Sequence, residues 1–386
     1  MRLLVFVCLA AGLFAAPWCA LAQEGTPAFV TKAKQAYLVE SKTGTVLLSV
    51  NENQAFPPAS LAKLMTMEVV FSALERGEIK SDTLFPVSEH AWRAGGAPSG
   101  TTTMFAALKS QVSVDNLIRG VIVQNANDGC IILAEGVSGS ENRFAARMTA
   151  RAKDLGLSRS TFGNATGLPS AQSFTTAHDL VKLARHIHRE YPDFYPIYSQ
   201  PDFEWNSIFQ RNKNPLFSLD MGIDGLGAGY AEGAGFAVTA SVEQDGTRLF
   251  LALGGLESEK ERRDEARRIF EWGLASFETR VLFEAGEVVG QASVYGGLTR
   301  RVDLVSREPI DIYVPTDNPE RLSGRIVYHW PLRAPVAEGQ PVGELRISSG
   351  ERVIREVELV AAHPVATGSL FSRAIDALLE LMFFWL

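Results

Sequence analysis

Two β-hairpin signals stand at opposite ends of a long helical run, and this order constrains the fold more than any other feature. The first, Gln35–Val50, reads QAYLVESKTGTVLLSV, with β-branched and aromatic runs flanking Lys42-Thr43-Gly44. The second joins Gly235–Val242 to Arg248–Gly254 through Gln244-Asp245-Gly246, where Asp-Gly favours a tight turn. Between them, Leu61, Leu64, Met65, Val69 and Leu74 recur at helical steps, and helical patterns continue through Val114–Gly136 and Glu141–Leu155. Thr176-Ala177-His178-Asp179 has the character of a helix start, followed by Leu180, Leu183, Ala184 and Ile187. Arg262–Phe277 is helical again, with a charged face and apolar Ile269, Phe270, Trp272 and Leu274. Hairpin, helices, hairpin and closing helix predict an α+β domain in which helices pack on an antiparallel sheet.

Beyond Phe277 the pattern changes to short strand-like runs: Val288–Tyr295, Ile310–Val314, Arg325–Tyr328, Val342–Ile347 and Val353–Leu359. Turn residues separate them, as in a small all-β domain of sandwich type. The final 18 residues are different again. Arg373, Asp376 and Glu380 line one helical face, while Leu370, Phe371, Ile375, Leu378, Leu379, Met382, Phe383 and Leu386 cover the rest. Such a helix, about 27 Å long at 1.5 Å per residue, suits a membrane interface better than a span; docking on its own domain is the other reading. At the N-terminus, Met1-Arg2, an apolar run from Leu3 to Ala16 and Ala20-Leu21-Ala22 read as a secretory signal peptide. The expected divisions are therefore residues 1–22, 23–277, 278–365 and 369–386. Cys8 and Cys19 would leave with the signal, so the mature chain keeps one thiol, Cys130, and no internal disulfide. Cys130 is expected in the core.

Composition excludes some functions. The 37 basic and 44 acidic residues give a net charge of -7, which speaks against nucleic acid as the main partner. The six histidines show no paired-ligand spacing, so no metal site is expected.

The sharpest local signal is Pro58-Ala59-Ser60-Leu61-Ala62-Lys63-Leu64-Met65-Thr66. Three residues apart at a helix start, Ser60 and Lys63 share a face. A partly desolvated lysine with a lowered pKa can take the serine's proton and make it a nucleophile, and backbone N–H groups at the helix start can stabilise an oxyanion. Alone, the pair also fits a capping serine beside an exposed lysine. Downstream lie Val121-Ile122-Val123-Gln124-Asn125-Ala126-Asn127-Asp128-Gly129-Cys130, then Phe162–Pro169 (FGNATGLP), Gln210-Arg211-Asn212-Lys213-Asn214 and the glycine-rich Asp224–Tyr230 (DGLGAGY).

With this order of motifs, the small β domain and the terminal LFSRAIDALLELMFFWL, residues 29 to 386 resemble the low-molecular-mass penicillin-binding proteins, specifically the D-alanyl-D-alanine carboxypeptidases. The resemblance implies the penicillin-binding/β-lactamase-like transpeptidase fold. It also implies an exported periplasmic enzyme, held peripherally on the inner membrane by its terminal helix. Its substrate would be the pentapeptide ends of peptidoglycan, and β-lactams would acylate it. Ser60 would attack the carbonyl between the two D-alanines, Lys63 would take and return the proton, and Asn127 would orient Lys63 and the substrate amide. Backbone N–H groups of Ser60 and the Gly229–Tyr230 region would hold the oxyanion, and water would release the acyl group without a cofactor. Asn125, Lys213, Gly227, Ala228 and Gly229 would contact substrate.

Two departures matter. The family's Ser-x-Asn reads Asn125-Ala126-Asn127, and an amide cannot relay a proton as a hydroxyl does. The family's Lys-Thr-Gly reads Gly227-Ala228-Gly229, so a cation and a hydroxyl for the substrate carboxylate are missing. A charge-assisted hydrogen bond contributes about 1.5–3 kcal/mol, so this loss would cost about ten- to a hundredfold in binding or rate. Arg211 and Lys213 lie in the segment resembling the family's basic substrate-side loop. Either a solvated basic loop or a replacement cation fits them. The departures also motivate a second reading, a catalytically impaired module that holds peptidoglycan or a partner. A β-lactamase fits less well, because the β domain and terminal helix are not expected of one. Deletion of Leu370–Leu386 is expected to release the mature protein from membranes without lowering activity on a soluble peptide, as sedimentation and a peptide assay would show.

Overall fold

The computed structural model describes residues 29–316, 322–349 and 352–369. The expected signal peptide and, from residue 370 on, the expected terminal helix at 369–386 lie outside the described residues. Among those described, no helix is long and apolar enough to cross a membrane.

The first domain is built on a five-stranded antiparallel sheet in the spatial order Val46–Val50, Gln35–Glu40, Thr247–Leu256, Gly235–Gln244, Ile223–Ala231. The two hairpins read from the sequence meet side by side, with Tyr37 opposite Ala252 and Leu38 opposite Leu251. Strand alternation divides the apolar residues between two cores. Val39, Ala237, Phe250 and Ala252 face the helical cluster, together with Phe71, Ile131, Phe144 and Leu180. Leu38, Val238, Leu249, Leu251 and Leu253 face the opposite way, onto Ala266, Ile269 and Phe270 of the closing helix. Both sheet faces are thus covered, which explains why these strands are almost wholly apolar.

The helical pattern at Leu61–Leu74 forms Ala62–Glu75, led in by a 3-10 turn at Ala59–Leu61. Thr176 caps Ala177–Glu190 through its hydroxyl, which accepts from the Asp179 N–H at 3.1 Å. Two local readings differ from the structure. The run Val114–Gly136 is not one helix but two, Val114–Val123 and Asn127–Ser138, because Asn125 turns into the left-handed region at φ 61°. Asn tolerates that conformation better than most residues do, so the amide at 125 suits the break. The closing helix runs Glu259–Ala275, and Phe277 instead begins a strand. The glycine-rich segment stands where the family has its Lys-Thr-Gly and lies within the edge strand Ile223–Ala231, paired with Gly235–Gln244 apart from an irregularity between Ile223 and Gly225. Tertiary pairing overrides the low strand propensity of glycine there.

The second domain is all β. A six-stranded sheet, mostly antiparallel, and a two-stranded ribbon of Phe277–Phe283 with Ile310–Pro315 share one core that includes Val302, Leu304, Ile312 and Leu359. Two of its strands, Phe277–Phe283 and Arg301–Val305, lack a clear signal in the sequence. The domains touch: the Tyr313 hydroxyl donates to Gly273 O at 3.0 Å, and Lys42 pairs with the buried Asp311.

One buried ionic cluster ties the Ala62–Glu75 helix to its neighbours. Glu68, fully buried, accepts from Arg151 Nε at 2.8 Å and from the Tyr191 hydroxyl at 3.1 Å, with His186 Nε2 at 3.4 Å. Burial alone would raise the Glu68 pKa, but the nearby His186 ring and the hydrogen bond and charge of Arg151 bring it below its usual value. A depressed folded-state pKa means that this stabilisation is complete above the usual carboxylate pKa and is lost as pH falls through the folded value. Replacing Arg151 by Ala is expected to cost roughly 2–3 kcal/mol, less than a fully enclosed pair because the guanidinium is partly in solvent. Denaturant titrations should show that deficit near neutrality and its narrowing below about pH 4, as the carboxyl is protonated.

Candidate active site

The nucleophile turn is held under strain. Ala59, immediately before Ser60, adopts φ 48°, a left-handed conformation that costs a non-glycine residue about 1–3 kcal/mol. Two close approaches impose it. A Cβ on Gly167 would lie 1.7 Å from Ala59 O, and a Cβ on Gly229 would lie 3.0 Å from Ala59 Cβ and 3.1 Å from Ser60 N. Only glycine lets the 164–168 loop and the edge strand close on the turn from two sides. The Ser60 N–H and the backbone of the Gly229–Tyr230 region therefore lie together.

Lys63 is 6% exposed and is not the solvated lysine of an ordinary helix cap. Its Nζ donates to Ser60 Oγ at 3.2 Å and to Thr166 O at 2.8 Å. Burial, with no carboxylate paired to it among the described residues, pushes the Lys63 pKa down from its usual value. The neighbouring Cys130 thiol is pushed up to about 12 by its own burial, so it stays protonated and supplies no compensating charge. The carbonyl of Thr166 is fixed in turn by Asn164, whose Oδ1 accepts from Gly167 N at 2.7 Å and Thr166 Oγ1 at 3.0 Å.

The second wall is the break between the two helices. Asn125 lines the site from that break, while Asp128 holds the adjoining loop by accepting from Thr103 Oγ1 at 2.6 Å and from Met104 N at 2.9 Å. Asn127 is buried at the start of its helix, with its N–H donating to Thr102 O at 2.8 Å. Its Oδ1 has no partner among the described residues. The expectation that Asn127 orients Lys63 directly differs from this geometry, in which the ammonium is held by Thr166 O and Ser60 Oγ.

Two cavities meet at Ser60. The smaller and more enclosed is lined by Lys63, Leu64, Met67, Val121, Leu226 and Gly227 among others. The larger is an open cleft bordered by Thr101, Gln124, Gly229, Tyr230, Phe236, Glu259 and Arg262 among others. Ser60, Asn125, Lys213 and Ala228 line both. The structure thus brings together Ser60, Lys63, Asn125, Lys213, Gly227, Ala228 and Gly229, while Asn127 and Arg211 line neither cavity. Lys213 is placed by its N–H, which donates to Val123 O at 2.9 Å.

Two contributors escaped the sequence reading. Thr166 acts through its carbonyl, which no side-chain pattern reveals. Arg262 belongs to a helix with a charged face, yet it is 5% exposed and donates through Nη1 to Gly229 O at 3.2 Å. Its Nε is buried without a partner among the described residues, so the guanidinium keeps an unused donor at the cleft wall.

Comparison with known proteins agrees with this geometry. A sequence model of the D-alanyl-D-alanine carboxypeptidases matches residues 22–255, and a model of the penicillin-binding protein 5 C-terminal domain matches residues 277–367. The chain is 34% identical over 342 residues to D-alanyl-D-alanine carboxypeptidase DacD of Salmonella typhimurium, covering 88% of each. It is 32% identical to D-alanyl-D-alanine carboxypeptidase DacC of Escherichia coli, over 94% of this chain and 91% of that one. Among solved structures, penicillin binding protein 5 from Haemophilus influenzae superposes with a TM-score of 0.79 at 32% identity, covering 89% of this chain and all of that one. With both domains matched in sequence and the fold shared across nearly the whole chain, the protein belongs to the D-alanyl-D-alanine carboxypeptidase family of serine peptidases.

Proposed function

We propose that this carboxypeptidase removes the terminal D-alanine of peptidoglycan stem peptides through an acyl-enzyme on Ser60. The observation that carries the assignment is the buried amine of Lys63, 3.2 Å from Ser60 Oγ. Lys63 in its neutral form takes the Ser60 proton as Oγ attacks the carbonyl between the two D-alanines. It then returns a proton to the leaving amine, and water repeats the sequence to free the shortened peptide. The N–H groups of Ser60 and the Gly229–Tyr230 region stabilise the oxyanion. Asn125, with Gly227, Ala228 and Gly229 of the edge strand, borders the substrate, and Asn127 supports the wall from within. β-Lactams acylate the same serine. The binding-module reading with little hydrolysis gains no support, since the matched relatives are named as carboxypeptidases and Ser60 and Lys63 are in reach of each other.

The cation missing from the edge strand is supplied from elsewhere. Lys213 and Arg262 both border the open cleft and together receive the substrate carboxylate, with Arg211 outside the site. The remaining parts complete the proposal: a signal peptide at residues 1–22, a catalytic domain at 23–277, a β domain at 278–365, and a helix at 369–386. That helix rests the exported enzyme on the periplasmic surface of the inner membrane.

The pH dependence tests Lys63. Since its neutral form is the base and burial lowers its pKa, the acylation rate with penicillin should climb with pH. It should flatten below the 10.5 of an ordinary lysine. Intact-mass analysis should find one adduct, lost in Ser60→Ala and strongly slowed in Lys63→Ala; a rate that levels off no lower than 10.5 would remove Lys63 from the role. The carboxylate partners are tested by steady-state kinetics on a D-Ala-D-Ala peptide. Lys213→Ala and Arg262→Gln should each lower kcat/KM about ten- to a hundredfold, the worth of a charge-assisted hydrogen bond. Arg211→Ala should change it little.

A further inference from the structure

The smaller cavity differs from the open cleft in what walls it. Gly227 leaves it open on the strand side, where an added Cβ would meet only Leu61 Cδ2, at 3.9 Å. Leu64, Met67, Val121, Ile122 and Leu226 give it apolar walls. Its polar lining is neutral apart from Lys63, whose amine is engaged with Ser60 and Thr166, and Lys213, which also faces the cleft. Tyr198 and Asn214 line it too, each with a buried polar atom lacking a partner among the described residues, so an oxygen of an occupant can be satisfied there. Ser60 stands at its mouth, and the other side of Ser60 is the open, more polar cleft, where Glu259 stands with Lys213 and Arg262.

This asymmetry assigns the two halves of a substrate. The leaving group must depart and water must enter while the acyl group stays bound to Ser60. The open cleft suits the traffic, and the more enclosed cavity suits the half that stays. We infer that the enzyme has a second activity, hydrolysis of neutral carboxylic esters whose short, straight aliphatic acyl chain occupies the cavity beside Gly227. The inference rests on the assignment of Ser60 and Lys63. Ser60 Oγ adds to the ester carbonyl as its proton passes to Lys63, and the carbon–oxygen bond to the alcohol breaks as Lys63 gives that proton to the departing oxygen. Water then attacks the acyl-serine, yielding its proton to Lys63, which returns it to Ser60 as the carboxylic acid leaves. Nothing is oxidised or reduced. The substrate needs no carboxylate, so the loss of cation and hydroxyl at Gly227 and Ala228 does not hinder this reaction, and the space left at Gly227 favours it.

The test uses p-nitrophenyl acetate, butyrate and hexanoate, with each rate divided by that of the same ester with hydroxide. A methylene taken out of water is worth at most about fourfold, so the corrected kcat/KM should rise about tenfold or more from acetate to hexanoate. The rise should disappear in Ser60→Ala along with the activity. In Ile122→Phe and Met67→Phe, whose larger side chains fill the cavity, the hexanoate-to-acetate ratio should fall to near one. Labelling of Ser60 by a fluorescent penicillin, measured on each protein, reports that the site is still assembled. Equal corrected rates along the series in a wild-type protein that penicillin labels would overturn the inference and leave the nucleophile standing. So would a chain-length gain that survives in both filled variants. Failure of penicillin to label the wild-type protein would instead remove Ser60 as nucleophile, and this inference with it.

Discussion

A lysine amine buried without a counter-charge is the constraint around which this site is arranged. The Lys63 amine can be neutral in such a place, and only a neutral amine can serve as a base. Two acceptors satisfy its hydrogens, Thr166 O from a distant loop and Ser60 Oγ from the preceding turn. Holding Thr166 there requires the Asn164 side chain, and fitting the loop against the nucleophile turn requires glycine at 167. The left-handed strain at Ala59 is stored in the same contact, overdetermined by packing on both sides.

The sheet supplies the other fixed surface. With both faces covered by helices among the described residues, the sheet meets the nucleophile at its edge strand, Ile223–Ala231. That edge lies against Ser60, and Gly229 permits the contact. Strand geometry, rather than the identity of the side chains at 227 and 228, therefore places backbone N–H groups where an oxyanion would form. This is the physical reason why a segment with so little strand character is compatible with the fold of the family: its backbone is used, and the sheet holds that backbone in place.

Loss of charge from the strand redistributes the electrostatics of the site. Arg262, buried beneath the strand with an unused donor, borders the open side with Glu259, while Lys213, carried on a loop pinned to Val123, borders both sides. The enclosed side, vacated at Gly227, has apolar walls in Leu64, Met67, Val121, Ile122 and Leu226, beside the amines of Lys63 and Lys213. One nucleophile thus stands between two environments of different polarity, a division that a lysine on the strand would blur.

The sequence by itself determined the elements whose signals are local. The hairpins, the Ser60–Lys63 spacing on one helix face, the Thr176 cap and the strands Val288–Tyr295 and Ile310–Pro315 follow from side-chain periodicity and turn chemistry. The order of motifs was enough to reveal the family resemblance. Only the tertiary structure decided the rest. It broke the Val114–Gly136 pattern at Asn125, since a single residue at positive φ leaves apolar periodicity almost unchanged. It also made a strand of the glycine-rich segment, because pairing with Gly235–Gln244 supplies the order that its side chains do not. Arg262 was buried and Lys213 separated from Arg211 by packing between segments far apart in the chain. The partner of Lys63 is a backbone carbonyl, a group that every residue carries; which carbonyl would meet the amine was set by how the chain closes on itself.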